Sequence, residues 1–324
     1  MLPAELVALA VSAGFPARER EAFPEAEPGP ATELASWLVG AARTEPAARR
    51  YLFFLKSLYE TFHAIEECFP RSSGGPGGVG TSPEEMLHVA NHLYLLASGG
   101  VPGLLLECGC YKGFSSACLS HACAFLGRDL VVADSFAGLP PGGPGEEGYR
   151  PGDFRGRRDE VEANVRLFGR IDRVRFVEGW FRESLAGFTE PLALLWLDVD
   201  LYESARDVLD GALPALDPRG ALFSHEFLPE RIGLDGRIVH PLEPPGAIRD
   251  GLAARRVDHR AVHCAGWLAR IDRPGSLGRG AERLVTALLP LLRDLDHRAR
   301  AARQAIGLKP ALVDFYRRRL RRRK

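Results

Sequence analysis

Residues 104–140, LLLECGCYKGFSSACLSHACAFLGRDLVVADSFAGLP, read as strand, glycine turn, helix and second strand, with a carboxylate closing each strand. The first strand is the apolar run Leu104 to Leu106, followed by Glu107 and a turn with glycines at Gly109 and Gly113, where the backbone can pass close to a ligand. A helix opens at Ser115, with Ser115 or Ser116 placed to cap its first free amides and Ala117, Leu119, Ala122, Phe125 and Leu126 on its apolar face. Leu130 to Ala133 is the next buried strand, and Asp134 stands at its carboxyl end. In an open parallel sheet the ligand crevice lies outside those ends, so Glu107 and Asp134 are expected to face one small molecule.

A dinucleotide fold has a glycine turn and, roughly 20 residues on, an acid that takes the ribose hydroxyls. Asp134 suits that acid, but Gly109 and Gly113 give G-x-x-x-G rather than G-x-G-x-x-G. Glu107 also ends the strand where a pyrophosphate would come closest, and two negative groups there repel. An adenosyl ligand with an ammonium in place of phosphates reverses the sign. S-adenosylmethionine is such a ligand: its ammonium pairs with Glu107, its carboxylate with the helix amides near Ser115, and its ribose diol with Asp134. A nicotinamide oxidoreductase is the disfavoured alternative.

The blocks E-C-G-C-Y-K-G-F-S-S (107–116) and A-D-S-F-A-G-L-P (133–140) resemble the macrocin O-methyltransferase family, class I methyltransferases of sugar hydroxyls in antibiotic biosynthesis. G-W-F at 179–181 looks like that family's adenine-side loop, and L-D-V-D-L-Y-E-S at 197–204 like its acidic fourth-strand motif. The similarity runs in order over roughly residues 85–272. It implies a Rossmann-like, doubly wound, mostly parallel α/β sheet and a hydroxylated small-molecule acceptor. Carried over position by position, it assigns the cofactor to Glu107, Gly109, Gly113, Ser115, Asp134, Ser135, Gly179, Trp180 and Phe181.

The chemistry is expected at the ends of the fourth and fifth strands, where Asp198 and the run Ser224-His225-Glu226 enter one crevice. Asp198, His225 and Glu226 are the candidate ligands of a divalent metal, magnesium first, that would hold neighbouring substrate hydroxyls and acidify one of them. The family usually has two aspartates where this chain has His225 and Glu226, then tyrosine where it has Phe227. An imidazole is a softer donor than a carboxylate, which brings manganese, iron, zinc or no metal into competition. Asp198 and His225 are the candidate catalytic residues, with His225 as general base if no metal is held. Asp200 either belongs to this site or caps the helix that follows, which reads as Glu203 to Leu216, with a turn at 217–220 and the fifth strand at Ala221 to Phe223.

Around this centre the chain divides into an N-terminal helical extension (1–80), the catalytic domain (81–275) and a C-terminal helical extension with a basic tail (276–324). The extensions hold a short helix at Ala4–Ala13, a periodic apolar pattern from Leu34 and Trp37 to Phe62, a glycine loop at 71–80 and a C-terminal helix that Pro290 kinks or divides. Thr81, Ser82, Pro83, Glu84 and Glu85 read as an N-cap with acids in the first turn. The glycine- and proline-rich run 141–156 has the length of an active-site loop, with plain disorder the equal alternative.

Composition bounds the partners. Lysine plus arginine and aspartate plus glutamate balance at 42 each in 324 residues, which argues against a global attraction to nucleic acid or membrane. No apolar run approaches the ~20 residues of a membrane span. The N-terminus lacks the basic region of a signal peptide, and six cysteines without a C-x-x-C pair read as reduced thiols of a cytoplasmic protein. A homo-oligomer is compatible with all of this, and a non-catalytic, methyltransferase-like partner protein is the rival function. The acceptor is not legible in the sequence.

Overall fold

The structure, a computed structural model, describes residues 38–69, 80–277 and 280–305. Its strands are β1 (Leu104–Cys108), β2 (Leu130–Asp134), β3 (Val174–Glu178), β4 (Leu192–Leu197), β5 (Leu216–Ser224), β6 (Arg260–Ala265) and β7 (Leu268–Asp272). They form one seven-stranded sheet in the order β3-β2-β1-β4-β5-β7-β6. The first five strands are parallel, and β7 runs antiparallel between β5 and β6. This is the doubly wound sheet expected from the sequence, with its antiparallel ending. The strand order reverses between β1 and β4, which opens a crevice at their carboxyl ends.

The helices are α1 (Pro46–Cys68), α2 (Pro83–Ser98), α3 (Phe114–Leu126), α4 (Arg158–Phe168), the single turn α5 (Phe181–Ser184), α6 (Tyr202–Ala212), α7 (Glu243–Ala254) and α8 (Ala281–Ala305). Strand β4, LALLWL, is buried at every position because both sheet faces are covered. Leu194 and Trp196 face a core shared with α1, α2, α3, α4 and α8, while Leu195 and Leu197 face one shared with α6 and α7. Truncating Leu195 to alanine there would cost about 2–5 kcal/mol. Helix α1 is joined to α2, and α8 to the sheet, by more than apolar packing. Tyr51 donates to Asn91 of α2 at 2.5 Å, and the buried Arg270 of β7 bonds Asp272 and Glu282, the latter in the first turn of α8.

Several boundaries differ from the sequence reading. Helix α6 stops at Ala212, and β5 begins at Leu216, so residues 217–220 lie within the strand instead of before it. The register jumps there, Leu192 pairing with Leu216 and Leu194 with Ala221. Pro218 has no N–H to give the ladder, and a Cβ on Gly220 would lie 2.7 Å from the Ala193 carbonyl oxygen, so this stretch bulges. Helix α8 continues through Pro290 and is not divided by it. Helix α3 takes Gly113 as its N-cap, with neither Ser115 nor Ser116 capping it. The expected helix at Ala4–Ala13, Leu34, Trp37, most of the glycine loop and the basic tail lie outside the described residues. Among those described, no helix is long and apolar enough to cross a membrane. Cys108, Cys110, Cys118 and Cys123 are buried, and burial pushes each thiol pKa up.

The run 141–156 is built as a strap. Glu146 is buried: one carboxylate oxygen accepts from the Tyr202 amide at 2.6 Å and the other from Gly143 at 2.8 Å. Leu139 and residues 152–153 exchange backbone hydrogen bonds of 2.8 Å. Glu146, not Asp200, therefore satisfies an amide at the start of α6, and Asp200 is left to the crevice.

Candidate active site

The crevice encloses a cavity of about 400 Å³, within the ordinary range of small-molecule sites. Gly109, Ser115, Asp134 and Ser135 line it from the β1 and β2 ends, Gly179, Trp180 and Phe181 from beyond β3, and Asp198, His225 and Glu226 from β4 and β5. The structure thus brings ten of the sequence-derived candidates to one wall. Glu107 and Gly113 are not on it. Gly113 sets the start of α3 from behind, in the left-handed region at φ 80°.

At the β1–β2 end, close approach decides the residue types. A Cβ on Gly109 would fall 1.9 Å from the Asp198 carbonyl oxygen, so only glycine lets the turn pass between β1 and β4. Asp134 accepts from the amides of Cys110 at 2.8 Å and Phe136 at 2.7 Å, which fixes its carboxylate at the cavity edge. Burial nonetheless raises its pKa against those two bonds. Glu107, expected to face the ligand directly, is fully buried behind Ser115, whose hydroxyl donates to Oε1 at 2.5 Å. Its Oε2 has no hydrogen-bond partner. Burial, opposed by the Ser115 bond and reinforced by the charges of Asp198 and Asp134, lifts the Glu107 pKa to about 8. Glu107 therefore acts on the cavity through Ser115. Ser135 closes its own turn, donating to Gly138 at 3.0 Å and accepting from Ala137 at 3.1 Å.

At the β4–β5 end the groups are charged and face one another. His225 Nδ1 lies 3.3 Å from Asp198 Oδ1 and 3.5 Å from Glu226 Oε1. The other ring nitrogen, Nε2, lies 3.3 Å from Glu85 Oε1 of α2, and the Trp267 ring stacks on the imidazole at 6.3 Å. Burial opposes charging of the ring, but Asp198 foremost, with Glu226 and Glu85, raises its pKa well above the usual histidine value. Asp200 also lines the cavity, and its pKa is raised first by burial and then by Asp198 and Glu226. Asp200 and Glu226 hold left-handed backbone at φ 61° and 72°, strain of roughly 1 kcal/mol or more each that surrounding structure must enforce. Glu85 and Trp267 were not read as site residues. The only signal for Glu85 was the capping pattern that it also satisfies.

The ligand atoms of Asp198, His225 and Glu226 lie within 4.8 Å of one another, a spacing one cation can bridge. Two carboxylates and one imidazole nitrogen also form a donor set that divalent first-row metals accept. The residues present therefore fit a divalent ion.

Comparison with known proteins agrees with the sequence blocks. The model of the macrocin-O-methyltransferase (TylF) family matches residues 79–224, ending one residue before His225 and Glu226. The chain is 36% identical over 141 residues to the 8-demethyl-8-(2,3-dimethoxy-alpha-L-rhamnosyl)-tetracenomycin-C 4'-O-methyltransferase of Streptomyces olivaceus. It is 33% identical over 145 residues to the demethyldecarbamoylnovobiocin O-methyltransferase of Streptomyces niveus. Each alignment covers 40% of this chain and 54% of the relative, so the chain spans about half the length of the curated relatives it matches. Among solved structures, the O-methyltransferase NovP superposes with a TM-score of 0.55 at 21% identity, over 69% of this chain and 99% of that one. That likeness is one of fold.

Proposed function

We propose that the chain transfers a methyl group from S-adenosylmethionine to a hydroxyl of a small polyhydroxylated acceptor, a sugar of a natural product being the nearest class. The observation that carries this reading is the cavity's excess of negative charge. Asp134, Asp198, Asp200 and Glu226 line it, and burial raises the pKa of Asp134 and Asp200 as well as that of Glu107 behind the wall. Such a site is stabilised by cations, and the sulfonium and ammonium of this donor are cations while the phosphates of a dinucleotide are not. The curated relatives, whose names specify O-methylation of a rhamnosyl tetracenomycin and of demethyldecarbamoylnovobiocin, support the acceptor class.

In this reading the cofactor lies over the β1–β2 end. Asp134 holds the ribose hydroxyls with the lone pairs left over from Cys110 and Phe136, and Ser115 with Glu107 behind it meets the ammonium. Gly179, Trp180 and Phe181 flank the adenine. Methyl transfer is an in-line displacement in which an acceptor oxygen lone pair forms the new O–C bond and the C–S pair returns to sulfur. The chain has to align the two partners and take up the hydroxyl proton. Asp198, His225 and Glu226 would hold a divalent ion, which when bound supplies the positive charge that acidifies a hydroxyl. The carboxylates of Asp198 and Glu226 then receive the proton, directly or through water. With Nδ1 on that ion and Nε2 facing Glu85, His225 would keep no lone pair for a substrate proton, which speaks against its role as the base.

Calorimetry of purified protein with S-adenosylmethionine, S-adenosylhomocysteine and NAD, followed by an assay of S-adenosylhomocysteine release on glycoside acceptors, tests the proposal. Micromolar binding of the first two alone, with acceptor-dependent turnover, is the expected result. Silence toward the sulfonium donor at millimolar concentration would overturn it, and binding without transfer to any acceptor would favour a non-catalytic partner protein.

A further inference from the structure

We infer that Glu85 is a positioning residue that makes His225 a nitrogen donor and thereby tunes the Asp198–His225–Glu226 centre toward a first-row transition ion rather than magnesium. The inference rests on the metal-assisted reading given above and concerns which ion that centre selects.

Glu85 lies in the first turn of α2, 140 positions before His225, and is 3% exposed. Its Oε2 accepts from the Ser82 amide at 2.6 Å and the Ser82 hydroxyl at 2.9 Å, and its Oε1 accepts from the Trp267 amide at 2.8 Å. The β6–β7 turn is laid directly on this carboxylate. A Cβ on Gly266, which sits at φ 50°, would come 2.3 Å from Oε1, so glycine is needed for Trp267 to reach it. Glu85 is thus fixed by three donors other than His225, and its Oε1 stands 3.3 Å from His225 Nε2.

Carboxylates stand at both ring nitrogens, Glu85 at Nε2 and Asp198 and Glu226 at Nδ1, 3.3 and 3.5 Å away. A cation held between Asp198 and Glu226 would displace the hydrogen from Nδ1, and the anchored Glu85 would keep the one on Nε2. A carboxylate bonded to the far side of a histidine both orients the ring and raises the basicity of its near nitrogen toward a metal. Magnesium favours oxygen ligands and retained water, whereas imidazole suits zinc, iron, copper and nickel. Asp198, His225 and Glu226 together offer one nitrogen and two carboxylates, a mixed set rather than an all-oxygen one. A nitrogen donor without a fixed tautomer would gain little. Glu85 supplies the fixing.

Full-length protein stripped with chelator, titrated calorimetrically with manganese, zinc and magnesium chlorides, tests the inference without any turnover. Manganese and zinc should bind at least about 10-fold more tightly than magnesium, and pulsed EPR of the manganese complex should show coupling to a directly bound imidazole nitrogen. His225→Asp should abolish that coupling and narrow the gap. Glu85→Ala should lower manganese and zinc affinity by about 10- to 100-fold, with Glu85→Gln in between. Ser82→Ala weakens the same helix cap and removes one of the three bonds that fix Glu85 but keeps the other two, so its metal preference should stay closer to the wild type than that of Glu85→Gln. That variant and Glu85→Gln keep the test valid if Glu85→Ala fails to fold. Equal affinity for magnesium, no nitrogen coupling, or a Glu85→Gln protein with wild-type preference would each overturn the inference. Absence of all metal binding would overturn it too, and S-adenosylmethionine titration of the same sample would show separately whether the wider reading survives.

Discussion

The two ends of the cavity hold their carboxylates by opposite means. At the β1–β2 end, Asp134 and Glu107 are bonded by neutral donors close in sequence, the amides of Cys110 and Phe136 and the hydroxyl of Ser115. At the β4–β5 end, Asp198, Glu226 and Glu85 surround a histidine ring, and the four residues come from three separate stretches of chain. Neutral donors fix a position without answering a charge, which in the proposed reading suits the first end to a cationic ligand. Opposed charges fix little until a further cation arrives, which in the same reading suits the second end to chemistry. The difference predicts that substitutions at the first end act on binding and those at the second act on turnover.

The largest effect should come from the second end. Asp198→Asn is expected to lower kcat by about 10²- to 10⁴-fold with little change in the KM for S-adenosylmethionine, as measured by steady-state kinetics. A loss seated mainly in KM would erase the distinction between the ends. Next comes Asp134→Asn, where an amide can accept only one of the two backbone hydrogen bonds. Losing a charge-assisted bond worth about 1.5–3 kcal/mol should weaken cofactor affinity by about 10- to 100-fold by calorimetry, with kcat at saturation changed far less.

The smallest effect, and the sharpest in sign, belongs to Glu107→Gln. With a pKa of about 8 in the fold against an ordinary value near 4.5, Glu107 binds its proton more tightly when folded. Stability of the free protein should therefore fall as pH rises from about 4.5 to 8, and the glutamine variant should flatten that part of a melting-temperature profile. A cationic ligand favours the ionised carboxylate, so cofactor affinity should rise toward pH 8 and level off above it. A wild-type affinity that falls over this range would show that Glu107 does not sense the ligand's charge.

The same contrast explains what the sequence could reveal. Residues 104–140 carry the glycine turn, the helix and both carboxylates within one unbroken stretch, so the β1–β2 end was legible almost entirely. Missed there were the cap of α3, which is Gly113 and not a serine, and depth: a strand period says which face Glu107 takes, but not that Ser115 closes over it. The second end needed residues 85, 198, 225, 226 and 267, and no local pattern links α2 to a β-turn some 180 residues later. Glu85 fulfilled a capping rule completely, which hid its second task. The bulge at 217–220 was read as a turn because Pro218 and Gly220 give the same local signal in either setting. Glu146 was lost in a run rich in glycine and proline whose composition resembles an unstructured linker.

That strap has one further consequence. Leu139, Pro140, Tyr149 and Phe154 form part of the cavity wall, yet the segment bearing them is pinned to α6 chiefly through a single carboxylate on the Tyr202 amide. If the proposed function holds, an acceptor too wide for the cavity would have to unfasten that bond to enter. Molecular size would then carry an energetic toll at the doorway, and large acceptors would be sorted from small ones before any hydroxyl is examined.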